Sequence, residues 1–156
     1  MNDAVQTEFS LKEFDETIRV VLDSGGEFRI YPKGTSMLPL IRQGRDSVVL
    51  VKSTKPPKKG DIAFYLRDNG GYVLHRILKA ENGSYTMCGD NQLVLEKGIS
   101  EGQIIAIVDR LYRGDNCVKL SAFSYKIYCF FWRSFFLRRV YFKLRSIKNG
   151  RVNGRT

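Results

Sequence analysis

The chain has 156 residues, 43% of them hydrophobic, and a formal net charge of +10. That length suits one domain, and the apolar content excludes disorder throughout. Residues 1–116 balance sixteen Lys and Arg against sixteen Asp and Glu, whereas residues 117–156 hold ten Lys and Arg and no acid. A neutral body with a cationic tail is not a basic nucleic-acid-binding domain. The cysteines, Cys88, Cys117 and Cys129, are odd in number and lack CxxC spacing, so free thiols and a reducing compartment are favoured. With His75 as the one histidine, no metal and no cofactor is expected.

In chain order, the acidic start MNDAVQTEFSLKEFDE has no apolar core and reads as neither signal peptide nor anchor. Ser10 and Glu13 have capping-box spacing. Leu11, Phe14, Ile18, Val21 and Leu22 then recur at helical spacing until Gly25-Gly26. The pattern predicts a helix over residues 11–23, a candidate lid or docking element. β signals follow: EFRIYP, then SVVLVKS (47–53), IAFYLR (62–67), YVLHRILKA (72–80), SYTMCG and QIIAIVDRLYR (103–113). Asp68-Asn69-Gly70-Gly71 and Asn82-Gly83 are hairpin turns. The expected fold is mostly β, a compact barrel or sandwich. The expected organisation is an N-terminal helix (1–26), a β body (27–116) and a basic aromatic tail (117–156).

Two residues have both a bland and a chemical reading. Ser36, in KGTSMLPLIRQG, is a turn or helix-cap residue, or else a nucleophile on a tight bend. His75 shares a strand face with Val73 and Ile77, the opposite face carrying Tyr72, Leu74, Arg76 and Leu78. It is a core histidine, or else the base a serine nucleophile requires. A carboxylate would then orient the imidazole.

Four segments in order, GTSMLPLI, KKGDIAFY, YVLHRIL and YTMCGDNQ, resemble the type I signal peptidase family. Its relatives include the self-cleaving SOS-repressor proteases. The similarity covers roughly residues 28–113. Histidine rather than lysine in VLHRIL resembles the endoplasmic-reticulum and archaeal branch. The resemblance implies Ser36 as nucleophile and His75 as general base. It implies Glu96, six residues after Asp90, or Asp90 itself as the orienting carboxylate, with Asp109 a weaker candidate. It also implies an oxyanion site at the Ser36 amide helped by Gly34 or Thr35, with Met37 and Leu38 directed at lipid or an apolar substrate segment. The substrate implied is an extended leader or precursor peptide. Two features depart from the family pattern: Arg45 separates Gly44 from Asp46, which a one-residue bulge would accommodate, and no N-terminal transmembrane helix precedes the body.

The tail is apolar at Ile127–Trp132 and Phe135–Leu137, interrupted by Lys126, Arg133, Arg138, Arg139, Lys143 and Arg145. A spanning helix needs about 20 mostly uncharged residues, so this segment does not span. Residues 121–146 read instead as an interfacial helix on an anionic membrane. Packing onto the body is the second reading and nucleic-acid contact the third; no specific nucleic acid is expected. NGRVNGRT is expected to be disordered. The expected function is a membrane-associated serine endopeptidase, with the cytoplasmic face favoured. A catalytically silent peptide-binding domain and a self-cleaving repressor-like protein are the alternatives.

Overall fold

A computed structural model describes residues 11–118, 123–134 and 136–144. The expected cap Ser10 and the terminal NGRVNGRT lie outside the described residues. Helix α1 spans Leu11–Asp23. Gly25 ends it in the left-handed region (φ 78°), with Gly25 N donating to Leu22 O and Gly26 N to Val21 O. These are the paired bonds that satisfy the last carbonyls of a helix. Ile18 and Leu22 of α1 are buried in a cluster with Val48, Leu50, Ile62, Phe64, Leu74 and Leu111. Burying each such side chain contributes about 1.5–3 kcal/mol. This corrects the expectation of a lid or docking element: α1 is part of the core.

Eight antiparallel strands form one sheet: β1 (Phe28–Ile30), β2 (Asp46–Val51), β3 (Ile62–Leu66), β4 (Tyr72–Glu81), β5 (Ser84–Cys88), β6 (Glu96–Ser100), β7 (Ile104–Arg113) and β8 (Asn116–Val118). Their order is β1-β2-β7-β3-β4-β5-β6, with β8 paired to β7. The mostly β architecture with flanking helices agrees with the sequence. Asn82 (φ 48°) and Gly83 (φ 74°) make the tight β4–β5 turn, as a two-residue hairpin loop requires. Strand β6 was not foreseen, because its segment EKGIS offers Ile99 as its one buried residue. Strand β8 was likewise missed; only three residues long, it holds the chain beside β7 through Arg113↔Asn116.

The sheet buries both faces. One packs on α1 through the cluster above; the other buries Ala63, Tyr65, Ile77, Tyr85, Met87 and Ile99. Strand β4 supplies both: Leu74 points to the first face, Ile77 to the second. This is the period-two alternation that divides the YVLHRIL segment.

After the sheet come α2 (Phe123–Arg133) and a second helix, α3, over residues 136–144. Ser134 separates them and caps α3: Leu137 N donates to Ser134 Oγ at 3.4 Å, the contact of an N-cap with its third helical residue. Tyr125 and Tyr128 pack against the α1-side cluster. Tyr128 and Trp132 stack with ring centroids 4.8 Å apart, and Trp132 meets Tyr141 at 5.4 Å. Part of the tail therefore docks on the body. Among the described residues no helix is long and apolar enough to cross a membrane.

Candidate active site

The segment between β1 and β2 is a series of turns rather than a helix. Leu38 N donates to Thr35 O and Ile41 N to Met37 O. Its apolar residues Met37, Leu40 and Ile41 are buried and anchor the loop. Met37 belongs to the core cluster and also lines the cleft that holds Ser36. Gly34 N donates to Gln43 Oε1 at 2.6 Å, so that amide is already engaged. The buried Asp46 accepts from Arg42 N and from Arg45 at 2.6 Å and 2.8 Å, closing the loop at its far end. The residue inserted at Arg45 is absorbed there, before the strand; the register irregularity of β2 lies at Val49/Leu50 instead.

Ser36 is pinned by its main chain. Asn91 N donates to Ser36 O at 2.7 Å, and Asn91 Nδ2 donates to Thr35 O at 3.1 Å. The serine lines an open cleft of about 260 Å³, together with Lys33, Arg67, Tyr72, His75 and Gln92. His75 enters that cleft from β4, opposite Ala63 of β3, and is only 2% exposed.

His75 Nδ1 lies 3.1 Å from Glu96 Oε1 and 3.2 Å from the Tyr65 hydroxyl. A carboxylate against Nδ1 holds the proton there and leaves Nε2 as the basic nitrogen. Nε2 faces Gly89, where a Cβ would come within 3.1 Å of Nε2 and 2.7 Å of Ser36 O. Those two atoms are therefore no farther apart than the sum of the two distances. Glycine at 89 is what allows the Gly89-Asp90-Asn91 segment to lie this close to both.

Glu96 is itself held. Arg67 donates from Nε to Oε2 at 2.7 Å and from Nη2 to Oε1 at 2.5 Å, a bidentate clamp. Burial alone would raise the Glu96 pKa, but the bonds from Arg67 and Tyr65 and the charges nearby hold it below the usual carboxylate range. Burial pushes the His75 pKa below the ordinary imidazole value; Glu96 pulls it back up and Arg67 pushes it down again. Burial and Glu96 both raise the Tyr65 hydroxyl, so it stays a protonated donor. The result is a neutral imidazole beside an ionised carboxylate.

Asp90 lies elsewhere. It is fully buried and forks onto Arg76 Nε and Nη2 at 2.8 Å each. Its Oδ2 also accepts from Tyr128 Oη at 2.7 Å, and its Oδ1 lies 3.2 Å from Arg138 Nη2. Of the two carboxylates left open by the sequence, Glu96 contacts the imidazole and Asp90 ties the tail to the body. Asp109 is exposed on β7 and paired with Arg110 at 3.0 Å.

Sequence reasoning missed Arg67, Tyr65 and Arg76. The first two were legible in IAFYLR, since Ala63, Tyr65 and Arg67 alternate onto the face that faces His75. Arg76 was placed on the opposite face without a partner.

A sheet that brings a pinned serine loop, a buried imidazole and a clamped carboxylate to one cleft is a serine-peptidase-like fold. The chain belongs to the Peptidase S24-like family, whose profile matches residues 5–111. No curated protein and no solved structure matches the chain.

Proposed function

We propose that the protein is a serine endopeptidase of the signal-peptidase type that cleaves a leader or precursor peptide at or near a membrane. The observation that carries this reading is the orientation of His75, with Nδ1 on Glu96 and Nε2 turned toward Gly89 and the Ser36 loop. Ser36 Oγ attacks the scissile carbonyl while His75 Nε2 takes its proton. Glu96 holds the ring and stabilises the imidazolium that forms. The imidazolium then returns the proton to the leaving amine, and water hydrolyses the acyl-enzyme by the same route. Of the amides expected at the oxyanion, that of Gly34 is engaged by Gln43, which leaves Ser36 and Thr35. No cofactor takes part in this mechanism.

The membrane assignment is supported by what the docked tail leaves outside. Phe130 is 71% exposed, Phe136 72% and Leu144 62%, and the exposed cations Lys126, Arg139 and Lys143 lie among them. Aromatic and basic residues at this density suit the headgroup region of an anionic bilayer.

Incubation of the purified chain with a denatured proteome, read by mass spectrometry of new peptide ends, tests the activity. The expected result is a defined set of cuts that Ser36→Ala abolishes. No cuts, or the same cuts from Ser36→Ala, would overturn the assignment; a cut within the chain itself would favour self-cleavage. Flotation with vesicles tests the location. Binding to phosphatidylglycerol but not phosphatidylcholine vesicles, weakened by Phe130→Ser with Phe136→Ser, is expected. Equal indifference to both vesicles would remove the membrane from the account.

A further inference from the structure

The C-terminal helices lie beyond the family match, which ends at residue 111, yet their inner face reaches the segment that borders the nucleophile. Arg138, at 2% exposure, is one of the largest fully enclosed side chains. It spends its guanidinium on three groups: Nε donates to Trp132 O at 2.6 Å, Nη1 to Gly89 O at 2.8 Å, and Nη2 to Asp90 Oδ1 at 3.2 Å. Trp132 Nε1 donates to Asp90 O at 2.7 Å, and Tyr128 Oη to Asp90 Oδ2 at 2.7 Å. Two consecutive residues of the body, Gly89 and Asp90, are thus gripped at both carbonyls and at the side chain.

The first of those residues borders both halves of the candidate site. Gly89 packs so closely against Ser36 O and His75 Nε2 that a methyl group there would collide with Ser36 O. Asn91, next in the chain, donates from its main-chain N–H to Ser36 O at 2.7 Å. A change in the tail therefore has a short covalent and hydrogen-bonded route to the serine: from Arg138 to Gly89 and Asp90, then through Asn91 to Ser36. An arginine buried with one carboxylate shared with Arg76 is costly to maintain as a mere surface attachment.

We propose that the C-terminal helices are a clamp that sets the position of Ser36 relative to His75, with Arg138 as its positioning residue and Tyr128 in support. The kinetic consequence rests on the peptidase reading; the geometric one does not. Arg138 does not touch a substrate, and its effect runs through the GDN segment. Because the clamp comes from the same helices that expose Phe130 and Phe136 outward, docking of the tail and competence of the site are linked.

The chain tests this through its lone histidine, whose imidazole NMR signals report on the site without overlap from another histidine. A fluorophosphonate probe, which phosphonylates an activated serine Oγ with loss of fluoride, gives the rate. Misplacing reacting groups by about 1 Å costs on the order of 100-fold, so Arg138→Ala should slow labelling of Ser36 by about that factor and shift the His75 signals. Arg138→Lys, which keeps the charge but not the fork, should fall between. Tyr128→Phe keeps the ring and loses one bond to a charged group, with a slowing of roughly tenfold expected; it decides the matter if Arg138→Ala does not fold. Folded variants with parental labelling rates and unmoved His75 signals would overturn the clamp while leaving the peptidase intact. A parent chain that does not label, with His75 signals that still move in Arg138→Ala, would overturn the peptidase and leave the clamp standing.

Discussion

Two neighbours on β4, His75 and Arg76, point to opposite sides of the sheet and each meets a carboxylate. On one side Glu96 contacts a neutral, nearly buried imidazole and is clamped by Arg67, whose side chain is 38% exposed. On the other, Asp90 is enclosed among Arg76, Arg138 and Tyr128. The chemistry of the two carboxyl groups is the same; what differs is who neutralises them. Asp90 has full-charge cations as permanent partners and cannot release them without leaving buried charge unpaired. Glu96 has one such cation, the partly exposed Arg67, and on its other side faces a group that gains charge only when a proton arrives, as an orienting carboxylate requires. One strand therefore separates a fixed ionic joint from a site that can change charge.

The largest effect should come from the proposed nucleophile. Ser36→Ala is expected to lower kcat/KM by about 10⁴-fold or more without lowering the melting temperature, since Ser36 is held through its carbonyl rather than its hydroxyl. On the fixed side, Asp90→Ala should destabilise the fold by about 3–5 kcal/mol, seen as a loss of the urea midpoint. Glu96→Gln should instead keep the fold and lower kcat by roughly 100-fold or more, since an amide can hold the wrong imidazole tautomer. If Glu96→Gln unfolds the chain and Asp90→Ala merely slows it, the assignment of the two carboxylates is reversed.

Smaller effects should appear in the pH profile. In the proposed mechanism neutral His75 is the base, and its folded pKa is lowered, so kcat/KM should hold as pH falls through the ordinary histidine value of about 6.5 and drop only below it. The same depression makes His75 favour the folded state above the unfolded pKa, a contribution lost as pH falls through the folded value. Arg67→Gln removes a charge that lowers the His75 pKa, so the acid limb should move to higher pH. The NMR titration of His75 should move the same way; movement to lower pH would show that Arg67 acts mainly through Glu96.

Much of this is legible in the sequence alone. Hairpin turns at Asn82-Gly83 and the alternation in YVLHRIL depend on local backbone and side-chain rules, and both placed their residues correctly. That Ser36 and His75 share one cleft was legible from segment order. The choice between Glu96 and Asp90 was not, because it turns on β6, a strand with one buried residue that forms by pairing with β5 (Tyr85↔Ile99) rather than by its own pattern. The tail was read as a membrane surface because its aromatic and basic content was visible, whereas the partners of Tyr128, Trp132 and Arg138 lie about forty to fifty residues away in sequence. Long-range polar contacts of that kind leave no periodic trace.

The most direct measurement is site-mapped labelling by a fluorophosphonate probe at neutral pH. A covalent adduct on Ser36, absent in His75→Ala while that variant keeps the parental fold, is the outcome expected of a hydroxyl activated by that imidazole. No adduct on a folded parent chain, or an adduct on Ser36 that persists undiminished in His75→Ala, would contradict it.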